Sequence, residues 1–342
     1  SNDDEVADVD VRGLVTVAGR GDTHVVVFYD DGVVPVPVML PVSTLVGSRY
    51  PAVPTPTRID ELVAAKLRLL GIVPAEPCGD AEFLRRASLD VAGTLPTPAE
   101  VERFVADDRA DKRERKVDEL LASPAHARWW ATRFCDWTGN NERQNQNSGP
   151  DDRPVATAAW YEWLRVRLER NVPYDEIVEG IVMARSRLDG ESYDDYCTRM
   201  SGYQHRAPEG SFAGQPYLPY FWSRGNFKTA EQRALGFAYT TARERPGGVH
   251  RPRPERNRDR GERRDRRVDG RTATVLGGDD VVIDELPDPR QALMDWMRDE
   301  ENPYFARAIV NRIWSAYFNV GIVEPPDDLS LANPPSNGPL LD

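Results

Sequence analysis

The chain has 342 residues, 40% of them hydrophobic, with 56 acidic against 44 basic side chains and a formal charge of −12. That charge excludes a general nucleic-acid binder, which needs a basic footprint, and favours a soluble, self-repelling surface. The length predicts about two or three domains, and no run approaches ~18 consecutive apolar residues, so no membrane span is expected.

The chain lacks a Met start, shows no signal peptide, opens on the acidic run SNDDEVADVD and stops at PLLD, so it reads as an interior piece of a larger protein. Residues 9–46 alternate between apolar and polar, with β-branched runs broken at Gly19-Arg20-Gly21-Asp22 and at Asp30-Asp31-Gly32. An Asp-Gly pair between apolar runs is a hairpin signal. Residues 1–46 are therefore expected to form a partial β-sandwich module, and Arg20-Gly21-Asp22 is read as a turn rather than an adhesion motif. Residues 47–57, GSRYPAVPTPT, are a Pro-rich linker.

From residue 58 helices take over. Thr57 caps a helix with Asp60 three residues on, and Ile59, Leu62, Val63, Lys66, Leu67 and Leu70 follow helical spacing to Gly71. Asp80 opens a second helix through Phe83, Leu84 and Ala87. Thr97-Pro98-Ala99-Glu100 starts a third, with Pro at the first helical position and Glu reaching back to the cap. Val117, Leu120 and Leu121 mark a fourth. Ser123-Pro124 starts a fifth, carrying Trp129, Trp130, Phe134 and Trp137.

A polar run at 139–153 precedes a long helix expected from Val155 to Arg170, stopped by Asn171-Val172-Pro173. Tyr174 to Ala184 is expected to be a short helix. Residues 186–226 read as irregular. Thr229 to Gln232 is a capping box for a helix through Leu235 and Phe237. The helical domain is thus placed at 58–240. Residues 241–271 hold twelve Arg, six acids and three apolar residues, from which no core can be built. They are read as a disordered linker or an out-of-frame stretch; the interleaved acids weigh against a basic nucleic-acid arm. Residues 272–342 form a last helical segment. Val281 to Ile283 reads as a short strand, Asp288-Pro289 starts a helix, and Asn302-Pro303 starts a longer one ended by Asn319 to Gly321. Residues 322–339 read as a Pro-rich loop.

Three constellations carry polar chemistry. Arg307 and Asn311 are four apart and share one edge of the last long helix; Arg312 lies beside them, and Asp327 and Asp328 follow on the next loop. This set binds a polar ligand or a cation, or pins the loop in a salt-bridge network, since charged groups near a core are normally paired. Arg86 and Asp90 stand one helix turn apart and are expected to pair, with Arg85 turned toward Asp118 or Asp136. Trp129, Trp130 and Trp137 precede Asn140 and Asn141. A flat apolar face with amides for hydroxyls is what a sugar platform needs, although tryptophans at helical spacing serve a core equally well.

The cysteines, Cys78, Cys135 and Cys197, form no CxxC, CxxCH or metal-ligand spacing and read as unpaired thiols, with one disulfide as the alternative. The four histidines exclude an HExxH zinc site, and no metal is expected. Arg outnumbers Lys about tenfold, as in a GC-rich genome. No Ser/His/Asp order, phosphate loop or nucleophile elbow appears, so no catalytic residue is assigned and enzyme activity stays open.

Arg85-Arg86, Leu89-Asp90, Gly93, Pro96-Thr97-Pro98, the run from Val117 to Pro124, Trp129 to Asp136 and Asn171 to Asp175 resemble the first of two domains of unknown function in large secreted planctomycete-type proteins. Asp288-Pro289-Arg290, NPYFARAIVNRIW at 302–314, Gly321 to Pro325 and Asp327-Asp328 resemble the second. The opening strands resemble a bacterial Ig-like module. The resemblance implies a mainly α protein behind a partial Ig-like module, exported to the periplasm or cell surface, and often linked to a planctomycete-type cytochrome c domain. It implies no known reaction. In many relatives the helix matching Asn226 to Tyr239 leads into a CxxCH; here that place holds the Arg-rich run, so haem c is expected only in the full-length family context. The main expectation is a non-catalytic helical scaffold or binding module beside a c-type cytochrome or polysaccharide-processing partner. A carbohydrate-binding or carbohydrate-active protein is the second, and an electron-transfer protein whose haem segment is absent from this copy is the third.

Overall fold

A computed structural model describes residues 1–30, 32–145, 153–185, 187–203, 210–224, 272–274, 280–282 and 288–342. The Arg-rich run at 241–271 and the helix expected to start at Thr229 lie outside them, as do Asp31 and Ile283. The fold is mainly helical behind a small β module, as expected. By packing, the described residues fall into two compact units: Ser1–Pro77 with Pro303–Asp342, and residues 78–224 with 272–302.

The first unit opens with two antiparallel hairpins. β1 (Ala7–Val9) pairs with β2 (Val15–Val17), and β3 (Gly21–Tyr29) pairs with β4 (Gly32–Leu40). Tyr29 faces Gly32, so the Asp-Gly signal marks the tight turn of the longer hairpin. Pro35 and Pro37 oppose Val26 and His24. Two residues apart, they point the same way and strip donors from one edge of β4. That edge is thereby a poor template for another strand.

α1 (Arg58–Leu70) begins at a full capping box, Thr57 with Asp60, and ends at Gly71 in the left-handed conformation. Lys66 on α1 pairs with Asp22 on β3, and the Leu70 carbonyl accepts from Val42 N at 2.8 Å. α10 (Phe305–Phe318) and α11 (Gly338–Leu341) complete this unit. The loop expected at 322–339 runs to Asn337, where the four-residue α11 begins; Leu341 there buries against Ile322 and Val323. Asn337 Nδ2 donates to the Leu62 carbonyl of α1 at 3.1 Å.

The second unit holds α2 (Asp80–Ala92), α3 (Pro98–Val105), α4 (Lys112–Leu121), α5 (Pro124–Thr138), α6 (Arg153–Glu169), α7 (Tyr174–Met183), α8 (Tyr193–Tyr203) and α9 (Pro289–Arg298). The short pair β5 (Thr272–Thr274) and β6 (Asp280–Val282) also belongs to it. Thr97 with Glu100 and Ser123 with His126 N make the expected caps, and Gly93 and Gly139 end α2 and α5. Its core is Trp160, Trp163 and Leu164 of α6 with Ile177, Ile181 and Met183 of α7. Each such side chain is worth about 1.5–3 kcal/mol when buried. α8 corrects the irregular reading of 186–226. Its sequence, YDDYCTRMSGY, buries only Met200 and so carries no apolar period to read. Cys78, Cys135 and Cys197 are unpaired.

Candidate functional site

The sharpest sequence motif sits on α10. Asn311 is 0% exposed. Its Nδ2 donates to the carbonyls of Val323 and Pro326, each at 2.9 Å, and its Oδ1 accepts from Val323 N at 3.0 Å. The amide is spent on the loop backbone. Gly321 lets that loop close: a Cβ there would meet the Val323 carbonyl oxygen at 2.1 Å. Arg312, 7% exposed, donates from Nε to Asp327 Oδ1 at 2.8 Å. Asn333 Nδ2 ties the carbonyls of Glu324 and Asp328, and Asp328 N donates to Pro325.

Arg307 does not join this set. It is half-buried and pairs with Asp342 at 2.6 Å. The expected Arg307–Asn311 row is therefore split: one side chain turns to Asp342 and the other is sealed under the loop. Arg290 grips Asp288, the cap of α9, through Nε and Nη2 at 2.9 and 2.8 Å. That contact holds the Asp288 carboxyl below its ordinary range.

On α2 the expected pairing is corrected. Arg86 meets Glu82 at 4.0 Å rather than Asp90. Both orders satisfy one-turn spacing, and the acid N-terminal to the base is the favoured one. Arg85, Asp90, Asp118 and Asp136 are exposed, and Arg85 reaches neither Asp118 nor Asp136. The built ion cluster lies elsewhere. Asp80 at the start of α2 takes Lys112 and Arg113 of α4, each at 2.7 Å. Hydrogen bonds from Lys112, then Arg113, lower the Asp80 pKa. Arg113 also donates to the Cys78 carbonyl and lies 4.9 Å over the Phe83 ring.

The tryptophans divide in the same way. Trp130 is 5% exposed and packs edge-on to Trp137 at 6.1 Å. A buried ring offers no face for a sugar to stack on. Trp129 fills the space that Gly93 leaves; a Cβ at 93 would stand 2.5 Å from its ring. Arg133 lies over the same ring, 4.5 Å from its centroid. Asn140 Nδ2 donates to the Thr157 carbonyl at 2.9 Å, joining the end of α5 to α6. Asn141 is exposed and builds the turn, its Oδ1 accepting from Arg143 N at 2.9 Å. The buried guanidinium of Arg224 donates to the Thr138 carbonyl at 2.8 Å, where the negative end of α5 welcomes a cation. Burial lowers its pKa to about 10.

The second unit also contains a cleft that sequence reading missed. It encloses about 500 Å³ between the C-terminal end of α6, the face of α7, the turn at 213–217 and Arg298 of α9. Gly180 makes its floor: a Cβ there would meet Trp163 at 2.6 Å and the Pro216 carbonyl oxygen at 3.0 Å. Arg167 lies 3.5 Å over the Trp163 ring and donates to the carbonyls of Trp163, Ala213 and Gln215. Burial, then the neighbouring Arg170 charge, lowers its pKa to about 10. Arg298 is balanced by Asp175 at 2.8 Å and Glu179 at 2.9 Å. No spacing rule links 167, 217 and 298, so no local signal announces this site.

Among the described residues, no three His, Cys, Asp or Glu side chains gather as metal ligands would. No described helix is long and apolar enough to cross a membrane. Residues 58–277 match the family model described as "PSCyt2: Protein of unknown function (DUF1549)". Residues 289–342 match the one described as "PSD1: Protein of unknown function (DUF1553)". The two matches confirm the pair of planctomycete-type domains expected from the motifs. Neither a curated protein nor a solved structure matches the chain. Each family segment contributes to both compact units: in the PSCyt2 segment α1 lies in the first unit and α2 to α8 in the second, and in the PSD1 segment α9 lies in the second unit and α10 and α11 in the first.

Proposed function

We propose a function from one premise: the chain belongs to the PSCyt2 family of proteins of unknown function, with a PSD1 match behind it. On that premise it is a helical scaffold and binding module of an exported envelope protein. It positions a ligand or partner, a c-type cytochrome domain or a polysaccharide, and leaves the reaction to that partner. The observation that carries this reading is the use made of the motif residues. Asn311, Arg312 and Arg290 spend their polar groups on internal backbone and carboxylate contacts. Buried groups so engaged give rigidity and a unique loop path. They are not left open to a reacting atom.

The carbohydrate-binding alternative moves away from the tryptophans. With Trp130 buried and Trp129 half-buried beneath Arg133, the arginine-lined cleft of the second unit is the better receptacle. The test is affinity electrophoresis of the purified chain through neutral and acidic polysaccharides, with a reducing-end assay run in parallel. Retardation without release of reducing ends supports a binding module. Release of reducing ends by the chain alone, lost in Arg312→Gln, would overturn it.

A further inference from the structure

The charges of the second unit's cleft are unevenly placed: Arg167 and Arg170 at the C-terminal end of α6 have no carboxylate partner among the described residues, while Asp175, Glu176 and Glu179 stand on α7. Arg298 has two carboxylates. Arg167 has only carbonyl oxygens, which leave its full charge in place. Arg170, one helix turn on, is exposed and makes no ion pair with any described residue. Two guanidinium groups three residues apart repel each other, and the lowered Arg167 pKa reflects this in part. An anion placed between them relieves that repulsion. Guanidinium is also the side chain best shaped to take a carboxylate with two parallel N–H donors.

The opposite wall adds a second requirement. Glu176 lines the cleft, is exposed and makes no ion pair with any described residue. A bare anion would be repelled by it. A ligand that also carries hydroxyls would donate to it instead, since an ionised carboxylate only accepts. Tyr217 lines the same space with a partly covered ring. The cleft is open to solvent, rigidly floored by the Gly180–Trp163 contact, and about the size of ordinary small-ligand pockets.

We propose that this cleft binds a hydroxylated carboxylate, with Arg170 clasping the carboxylate, Arg167 supplying fixed positive charge behind it, and Glu176 accepting from a hydroxyl. The inference deepens the binding-module reading and rests on it. The ligand is either a free hydroxy acid or an acidic sugar unit within a polymer, which present the same groups.

The test is titration calorimetry of the full chain with sodium galacturonate, polygalacturonate and neutral dextran. Binding of galacturonate assigns the site to the free acid, and binding of polygalacturonate alone assigns it to a polymer unit; either supports the proposal if Arg170→Gln weakens it. The expected loss is about tenfold, one pair of charge-assisted hydrogen bonds. Glu176→Gln removes the charge that repels a bare anion and weakens the hydroxyl acceptor, so it should narrow the preference for galacturonate over propionate, a carboxylate without hydroxyls, a change that a purely structural role would not produce. Rising salt should weaken both acids. Equal affinity in wild type and Arg170→Gln overturns the proposal. Binding of dextran but neither acid overturns it while leaving the binding-module reading standing. Binding of none of the three overturns both.

Discussion

Asn311 holds both backbone groups of Val323, donating to its carbonyl and accepting from its N–H, and so serves the loop as a strand neighbour would. A third bond, to the Pro326 carbonyl, extends the grip by three residues. The side chain is fully buried, so nothing from solvent replaces these partners if it is lost.

Asn311→Ala should therefore cost about 3 kcal/mol, since it strands one N–H and two carbonyls in a buried place. Asn311→Asp should do at least as much harm, because a carboxylate cannot donate to the two carbonyls. Urea unfolding checks both. A change in midpoint within error of wild type would contradict the assignment.

The Cys135 thiol gives a pH prediction. Burial raises its pKa to about 11 from 9.0, against a small opposing effect from the Asn140 amide. In the unfolded chain the thiol ionises at its ordinary value, while in the folded chain it stays protonated. Its contribution is thus fully present below about pH 9 and lost as pH rises to 11, a total of roughly 2–3 kcal/mol. Tyr220, whose pKa burial raises to about 12, deepens the loss above pH 10. The difference between wild type and Cys135→Ala over pH 8–11 isolates the thiol. Parallel curves for the two proteins would contradict the prediction.

The two family segments depend on each other. α9, from the PSD1 segment, packs on α7, from the PSCyt2 segment, with Met294 and Met297 almost wholly buried. Met294→Ala and Met297→Ala should each cost about 2–4 kcal/mol. A chain ending at residue 287 should be less stable than the whole by more than either single change, and should lose the Arg298 pairs with Asp175 and Glu179. Calorimetric melting of the whole chain, the two single variants and the truncated chain checks this. An unaltered melting temperature in the truncated chain would show that the PSCyt2 segment stands alone.

Local signals were legible in the sequence, and convergent ones were not. Thr57, Thr97 and Ser123 cap helices within three residues of themselves, and Gly71, Gly93 and Gly139 end them, so short windows suffice. α8 escaped because it buries a single side chain and its pattern is set by its neighbours. The Arg86 pairing went to Glu82 rather than Asp90 because helix spacing allows either direction. On α10 the sequence pointed to the right stretch but grouped Arg307 with Asn311, since one-turn spacing names an edge and not what covers it. The cleft stayed invisible because Arg167, Tyr217 and Arg298 meet only through the packing of α6, α7 and α9.

The motif's charged residues hold the fold, Arg312 with Asp327 foremost. The most direct measurement is the coupling energy between Arg312 and Asp327 from a double-mutant cycle, Arg312→Ala, Asp327→Ala and both, followed by urea unfolding. A half-buried guanidinium–carboxylate pair at 2.8 Å predicts a coupling of about 1–3 kcal/mol. Coupling within error of zero, with wild-type stability in both single variants, would contradict the account.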